Sequence, residues 1–304
     1  MNMQSSDVRT ATFDSGINWW TTIPFAMLHV LALGVFWVGI SPVAVGVCLA
    51  LFWLRMFAIT GFYHRYLSHR SYKTSRWFQF LFALLGNSSV QKGPLWWAGH
   101  HRHHHKYSDK DEDVHSPIKR GFFYSHVGWI FARGNSSTRM GLVPDLAKFP
   151  ELRAIDRFDV LMPVLLGTSC FGLGVWLQTY APSLGTTGPQ MLFWGFFLST
   201  VILVNATFTI NSLSHIFGKQ RYETGDTSRN NWLLALLTFG EGWHNNHHHY
   251  ATAARQGFYW WEIDITYYGL VVLSKLGLIW DLKRVPDHIL NEGRVSNEAE
   301  AAAA

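Results

Sequence analysis

The chain has 304 residues, enough for two ordinary soluble domains, yet only 15% of them are Asp, Glu, Lys or Arg, against roughly 25% in soluble proteins. With 15 Trp, 22 Phe and a hydrophobic share of 48%, the composition argues against a water-soluble enzyme and for aromatic rings lining a membrane interface. The net charge of +5 is modest, and the 2 cysteines, Cys48 and Cys170, lie far apart in apolar runs, which argues against a disulfide framework or a cysteine-based zinc site; no nucleic-acid partner is expected.

Met1 to Ser15 is polar and has no basic stretch ahead of an apolar run, so no cleavable signal is expected there. From Ser15 to Leu54, 40 consecutive residues carry no formal charge, which is two bilayer crossings at about 20 residues each, divided at Ser41-Pro42. Trp77 to Gln91 is also uncharged but short of a crossing, and it contains Gly86-Asn87-Ser88-Ser89; it is expected to lie in the interface or to dip in and return. Val160 to Gly218 adds 59 uncharged residues, broken by the Pro- and Gly-punctuated loop Ala181 to Pro189.

These runs predict an all-α integral membrane protein with four transmembrane helices in two hairpins, at about 20–40, 43–61, 159–180 and 190–212. Residues of about 62–158 and 213–290 then form a helical cap, 291–304 a flexible tail, and the whole chain, 1–304, a single domain. Of 25 Lys and Arg, 14 fall between Gly61 and Asp156 and 8 after Ser214. Basic residues stay inside, so the cap and both termini are expected on the cytoplasmic side.

Twelve of the 16 histidines fall in two regions, His64 to His105 and His215 to His249, at the cytoplasmic ends of the predicted helices. His101-Arg102-His103-His104-His105 contains His-x-x-His-His, and so does His244-Asn245-Asn246-His247-His248. Positions i, i+3 and i+4 share a helix face, so each triplet is expected to aim three imidazoles at a common point. His100, His103 and His104 fit the same spacing, and the spacing alone leaves the register open. His64 and His69 stand five apart, about 140° around a straight helix, which suits two different metals or a frayed helix end. Eight or more imidazoles exceed what one ion accepts and point to a dinuclear centre; the ligand type alone does not choose between iron, copper, nickel and zinc.

Three segments resemble the histidine boxes of the membrane-bound fatty acyl desaturases, in the branch similar to acyl-CoA Δ9-desaturases. They are Gly61-Phe62-Tyr63-His64-Arg65-Tyr66-Leu67-Ser68-His69, His101-Arg102-His103-His104-His105-Lys106 and Gly240-Glu241-Gly242-Trp243-His244-Asn245-Asn246-His247-His248. The resemblance, running from about Thr60 to Pro286, selects His101, His104 and His105 in the second box. Asn211-Ser212-Leu213-Ser214-His215 resembles a further family element. The ligand set it implies is His64, His69, His101, His104, His105, His215, His244, His247 and His248, with Asn211 acting through water. The cofactors implied are two iron ions, with O2 as co-substrate, in an enzyme that introduces a cis double bond into a saturated acyl chain. Each ligating ring needs an acceptor on its other nitrogen, and Glu241, Asp109, Asp111 and Asp113 are candidates. His100, His103 and His249 are then spare, exposed or in supporting positions, and His29, His115, His126 and His288 have no claim as ligands.

By the same resemblance Gln91, Trp97 and Thr207 stand at the bend of a substrate tunnel, which implies oxidation at Δ9. Arg133 matches a basic position that meets the head group, whereas Gly99 and Gly134 replace two others. An acyl-CoA substrate is the expectation, with an acyl-lipid as the alternative, a di-iron hydroxylase as the nearest chemical competitor and a His-rich metal transporter as a reading from another class. Ala254 to Asp264 resembles bacterial members, which implies a prokaryotic inner membrane. Electrons are expected from a separate ferredoxin-like or cytochrome b5-like donor with its reductase.

Overall fold

The computed structural model describes residues 16–293. The readings of Met1 to Ser15, and of the tail beyond Gly293, lie outside the described residues. Among the described residues, four helices are long and apolar enough to cross a membrane: α1 (Trp19–Val38), α2 (Pro42–Ser68), α6 (Leu161–Tyr180) and α7 (Gly188–His215). Between them lie α3 (Arg76–Asn87), α4 (Pro94–Tyr107) and α5 (Pro150–Arg157), and after them α8 (Trp232–Leu237), α9 (His244–His249) and α10 (Ile265–Lys275). A minimal antiparallel pair, β1 (Lys73–Thr74) with β2 (Ile279–Trp280), ties the two halves of the cap.

Local chemistry sets the helix starts. Proline occupies the first turn of α2, α4, α5 and α7, where its missing N–H costs nothing and its φ is already helical. Side chains of Asn18, Ser41, Ser75, Asn231 and Asp264 cap α1, α2, α3, α8 and α10 by accepting otherwise unpaired backbone N–H groups. Thr187 and Gln190 cap each other's backbone at the start of α7.

The two hairpin turns meet at one end of the bundle. Ser41 Oγ lies 2.5 Å from Thr186 Oγ1, and Gln190 Nε2 donates to the Val38 carbonyl at 3.0 Å. At the other end α2 and α7 run past the stretches expected to lie in the membrane, to Ser68 and His215. These two helices therefore continue beyond the apolar stretches read from the sequence. The reason is local: α2 changes from α- to π-helical hydrogen bonding at Ala58–Ser68 without breaking, so polar residues of the first histidine box continue the same rod.

The uncharged run at 77–91 forms α3, with Trp77, Phe80 and Leu81 exposed on one face and Phe78 and Ala83 buried on the other. Its buried face crosses α2 closely at Gly86, where a Cβ would lie 2.3 Å from the Tyr63 ring. Arg102 of α4 closes the end of α2. Its guanidinium donates to the carbonyls of Leu67 and Ser68 at 2.5 and 3.0 Å and to Asp145 at 2.7 Å, satisfying helix-end carbonyls that no backbone group reaches.

Candidate metal centre

The end of the bundle where α2 and α7 terminate gathers the histidines. His64 lies on the π-helical part of α2, and the backbone N–H of His69 donates to the His64 carbonyl at 3.2 Å. That i to i+5 bond brings the two rings onto one side, with centroids 4.9 Å apart. Of the two alternatives given for this pair, service to two different metals assumed α-helical winding and does not match the structure, where both rings fall in one group at the end of the helix.

Among the described residues two all-histidine groups result, each with its ligand atoms within 4.8 Å of one another, beside a third set in which His104 is shared with Asp113 and His115. The first comprises His64, His69, His101, His105 and His247; the second comprises His104, His215, His244 and His248. Neither His-x-x-His-His triplet points at a common centre, which corrects the reading from spacing. Each gives its i, i+4 pair to one group, His101 with His105 and His244 with His248, and its i+3 member to the other. Positions i+3 and i+4 diverge by about 100° around the axis, so a triplet on one helix straddles two centres.

Carboxylates hold the outer nitrogens. His64 Nδ1 meets Glu241, His104 Nδ1 lies 3.1 Å from Asp113, His215 Nδ1 3.2 Å from Asp109 and His248 Nδ1 2.6 Å from Asp226. A carboxylate only accepts, so the ring proton sits on Nδ1 and Nε2 is left as a bare lone pair. His247 Nε2 lies 3.0 Å from His64 Nε2 and 2.9 Å from His105 Nε2; His69 and His101 meet at 2.7 Å, and His215 and His244 at 3.1 Å. His248 Nε2 is buried with no hydrogen-bond partner. Protons cannot satisfy so many converging lone pairs, whereas a cation in each group can. Burial first, then neighbouring imidazoles, pushes His69, His101, His105, His244 and His247 well below the usual range, so the rings are neutral and free to ligate. The residues present fit two metal ions bound by imidazole nitrogens.

Of the carboxylates named from sequence, Glu241, Asp109 and Asp113 touch the histidines, while Asp111 is exposed and pairs with Lys119 at 2.8 Å. Asp226 escaped the sequence because Thr224-Gly225-Asp226-Thr227-Ser228 reads as an ordinary turn; its one clue is its place between His215 and the third box. Gln256 also escaped, and its amide lies 3.2 Å from His64 Nδ1. Arg65, buried within the first box, donates to Glu241 at 3.1 Å and to Asp264 at 2.9 Å, holding the carboxylate in place.

Of the two expected alternatives, an exposed or a supporting position, His100 and His103 do not take the first: both are buried. The His100 ring packs against Trp96 with its Nδ1 on the Trp96 carbonyl at 2.9 Å, and burial lowers it to about 3. His249 stacks on Tyr222 and pairs with Glu292. His115, given no role from sequence, packs 4.3 Å from the His104 ring beside Asp113.

A cavity of about 350 Å³ runs from the first turns of α1 and α6 to His101. Its walls include Phe25, Leu28, Pro163, Val164, Phe196 and Phe208. Gln91, Trp97 and Thr207 line it together: Trp97 Nε1 donates to Gln91 Oε1 at 3.3 Å, and Gln91 Nε2 donates to Thr207 Oγ1 at 3.1 Å. Asn211 lines both this cavity and a smaller one shared with His104 and His244. Arg133 is exposed, donates to the Ile17 carbonyl at 3.2 Å and is not among the cavity residues. Gly99, in place of a basic residue, lies against Arg139, whose carbonyl would stand 3.3 Å from an added Cβ.

Comparison with known proteins agrees with this geometry. Residues 40–268 match the family model described as fatty acid desaturase. An sn-1 stearoyl-lipid 9-desaturase of Anabaena variabilis is 37% identical over 88% of this chain and 94% of its own length. An sn-2 palmitoyl-lipid 9-desaturase of Nostoc sp. (strain 36) is 36% identical over 86% and 89%. An acyl-CoA 5-desaturase of Anemone leveillei is 35% identical over 86% and 78%. With the family model covering most of the chain, the four apolar helices and the two histidine groups, the chain belongs to the fatty acid desaturases, a family of oxidoreductases.

Proposed function

We propose that the protein introduces a cis double bond at Δ9 of a saturated acyl chain esterified to a membrane lipid. The observation that carries this reading is the cavity, which begins where α1 and α6 enter the apolar layer and ends against His101. Lipid 9-desaturases among its relatives support the same choice. His64, His69, His101, His105 and His247 would hold one iron ion, and His104, His215, His244 and His248 the other, with Asn211 placed to act through water. Bound there, the two irons supply with O2 the oxidising power to remove hydrogen from an unactivated methylene, which no side chain can do.

The chain's own residues do the placing. Apolar walls bind the acyl chain and exclude water, and the Trp97–Gln91–Thr207 hydrogen-bond series fixes the bend beside His101. A saturated chain has no functional group at the reacting carbons, so selectivity has to come from such fixed geometry. Carboxylates on His64, His104, His215 and His248 set the rings' tautomer and direction. The site faces the cytoplasm of a bacterial inner membrane, where a separate ferredoxin-like or cytochrome b5-like protein and its reductase deliver electrons; the net charge of +5 suits an acidic carrier.

Expression in a cell without its own desaturase, with the lipid and acyl-CoA pools analysed separately, tests the proposal. Δ9-unsaturated chains arising first in lipid are expected. A double bond arising first in the CoA pool, with Arg133 needed for it, overturns the lipid reading; a hydroxylated product overturns desaturation.

A further inference from the structure

On either side of Gln91 the backbone adopts a conformation that L-residues rarely hold. Val90 has φ of 61° and Lys92 φ of 68°. At a β-branched residue this is a true outlier, because Cβ crowds the carbonyl oxygen, and it persists only where surrounding contacts over-determine it. Here they do. Val90 N–H donates to the Asn87 carbonyl at 3.3 Å, Asn87 Nδ2 donates to the Lys92 carbonyl at 3.2 Å, and the buried Arg55 guanidinium holds the Ser88 carbonyl at 3.2 Å. Pro94 then starts α4, which Asp156 fixes by accepting from the Leu95 and Trp96 N–H groups at 2.9 and 2.8 Å.

The turn joins two parts of the cavity. Gln91 is buried and carries the hydrogen bonds of the bend. Lys92, one residue on, stands at the mouth with its Nζ 3.6 Å from Asp159 Oδ2. Histidines aside, these two carry the only formal charges among the described residues lining the cavity. Glycine at either position would form the same turn without strain but would leave it free to move.

We propose that Val90 and Lys92 are specificity-determining positioning residues, whose left-handed backbone makes the 90–92 turn a rigid spacer between the charged mouth and the bend. The spacer fixes how many carbons separate the polar end of the substrate from the bond beside His101. This rests on the cavity being the acyl channel.

The test compares Val90→Gly with Val90→Ala, and Lys92→Gly with Lys92→Ala. Both members of each pair lose the side chain, but only glycine loses the constraint. Purified variants in vesicles of distearoyl lipid, supplied with reduced ferredoxin, are assayed for double-bond position by mass spectrometry. Each glycine variant is expected to yield at least fivefold more product at neighbouring positions than its alanine counterpart, while melting no lower. Equal product distributions within a pair overturn the proposal at any level of activity. Amide hydrogen exchange at 88–93 gives a second reading that needs no turnover: faster exchange in the glycine variants is expected, and equal protection overturns the rigid spacer. If the unaltered protein makes no unsaturated product in any pool, the channel reading fails instead, and the exchange comparison still decides whether the turn is rigid.

Discussion

Asp226 shows how a single residue is recruited to this site. Its carboxylate binds His248 Nδ1 at 2.6 Å while accepting from Thr224 and Ser228. Those hydrogen bonds outweigh burial and hold its carboxyl well below the usual carboxylate range. Asp226→Ala is expected to weaken metal binding by the second histidine group about 10- to 100-fold, read as metal content at limiting iron, whereas Asp111→Ala should leave it unchanged; equal losses in both variants would show that the contact to His248 is immaterial. Thr207 is the residue to enlarge for substrate length. Thr207→Phe fills the cavity at the bend, and a shift toward shorter substrates or another double-bond position is expected in the product profile. An unchanged profile would remove Thr207 from the acyl path. The nine histidines that the structure gathers into two groups were named through the family resemblance, spacing alone having left the register of the second box open, whereas Asp226 and Gln256 were not named, since a turn carboxylate and a lone amide carry no spacing.

Among the elements, α4 and α9 set the arrangement by sharing their histidines between two groups. The i, i+3, i+4 pattern was legible, but its partition was not, because it depends on how the helices face one another across α2. The π-helical end of α2 was equally hidden, since i to i+5 bonding has no residue signature in Ala58–Ser68. Asp156 of α5 anchors the start of α4, accepting from two backbone N–H groups and from Thr138 Oγ1 at 2.7 Å. Losing it leaves helix-start donors unpaired, at about 1–2 kcal/mol. Asp156→Ala should therefore lower the thermal midpoint and loosen His101 and His105 together, visible as reduced metal retention. A variant as stable as the parent would show that the second box is anchored elsewhere.

For the molecule as a whole, the absence of charge over Ser15 to Leu54 and Val160 to Gly218 made the two hairpins readable directly. Their extension into the polar region was less readable, because hydropathy ends where lipid ends while hydrogen bonding continues. That continuation places His64 and His215 on the same rods that form the apolar bundle, so the acyl cavity and the histidine groups share one frame. We propose that each of the two histidine groups holds one iron. Quantitative metal analysis of the purified, active protein, repeated on His247→Ala and His244→Ala, tests it most directly. Two irons per chain are expected in the parent, with each variant losing one preferentially; a single iron, or two zinc ions, in fully active protein would rule out a di-iron site.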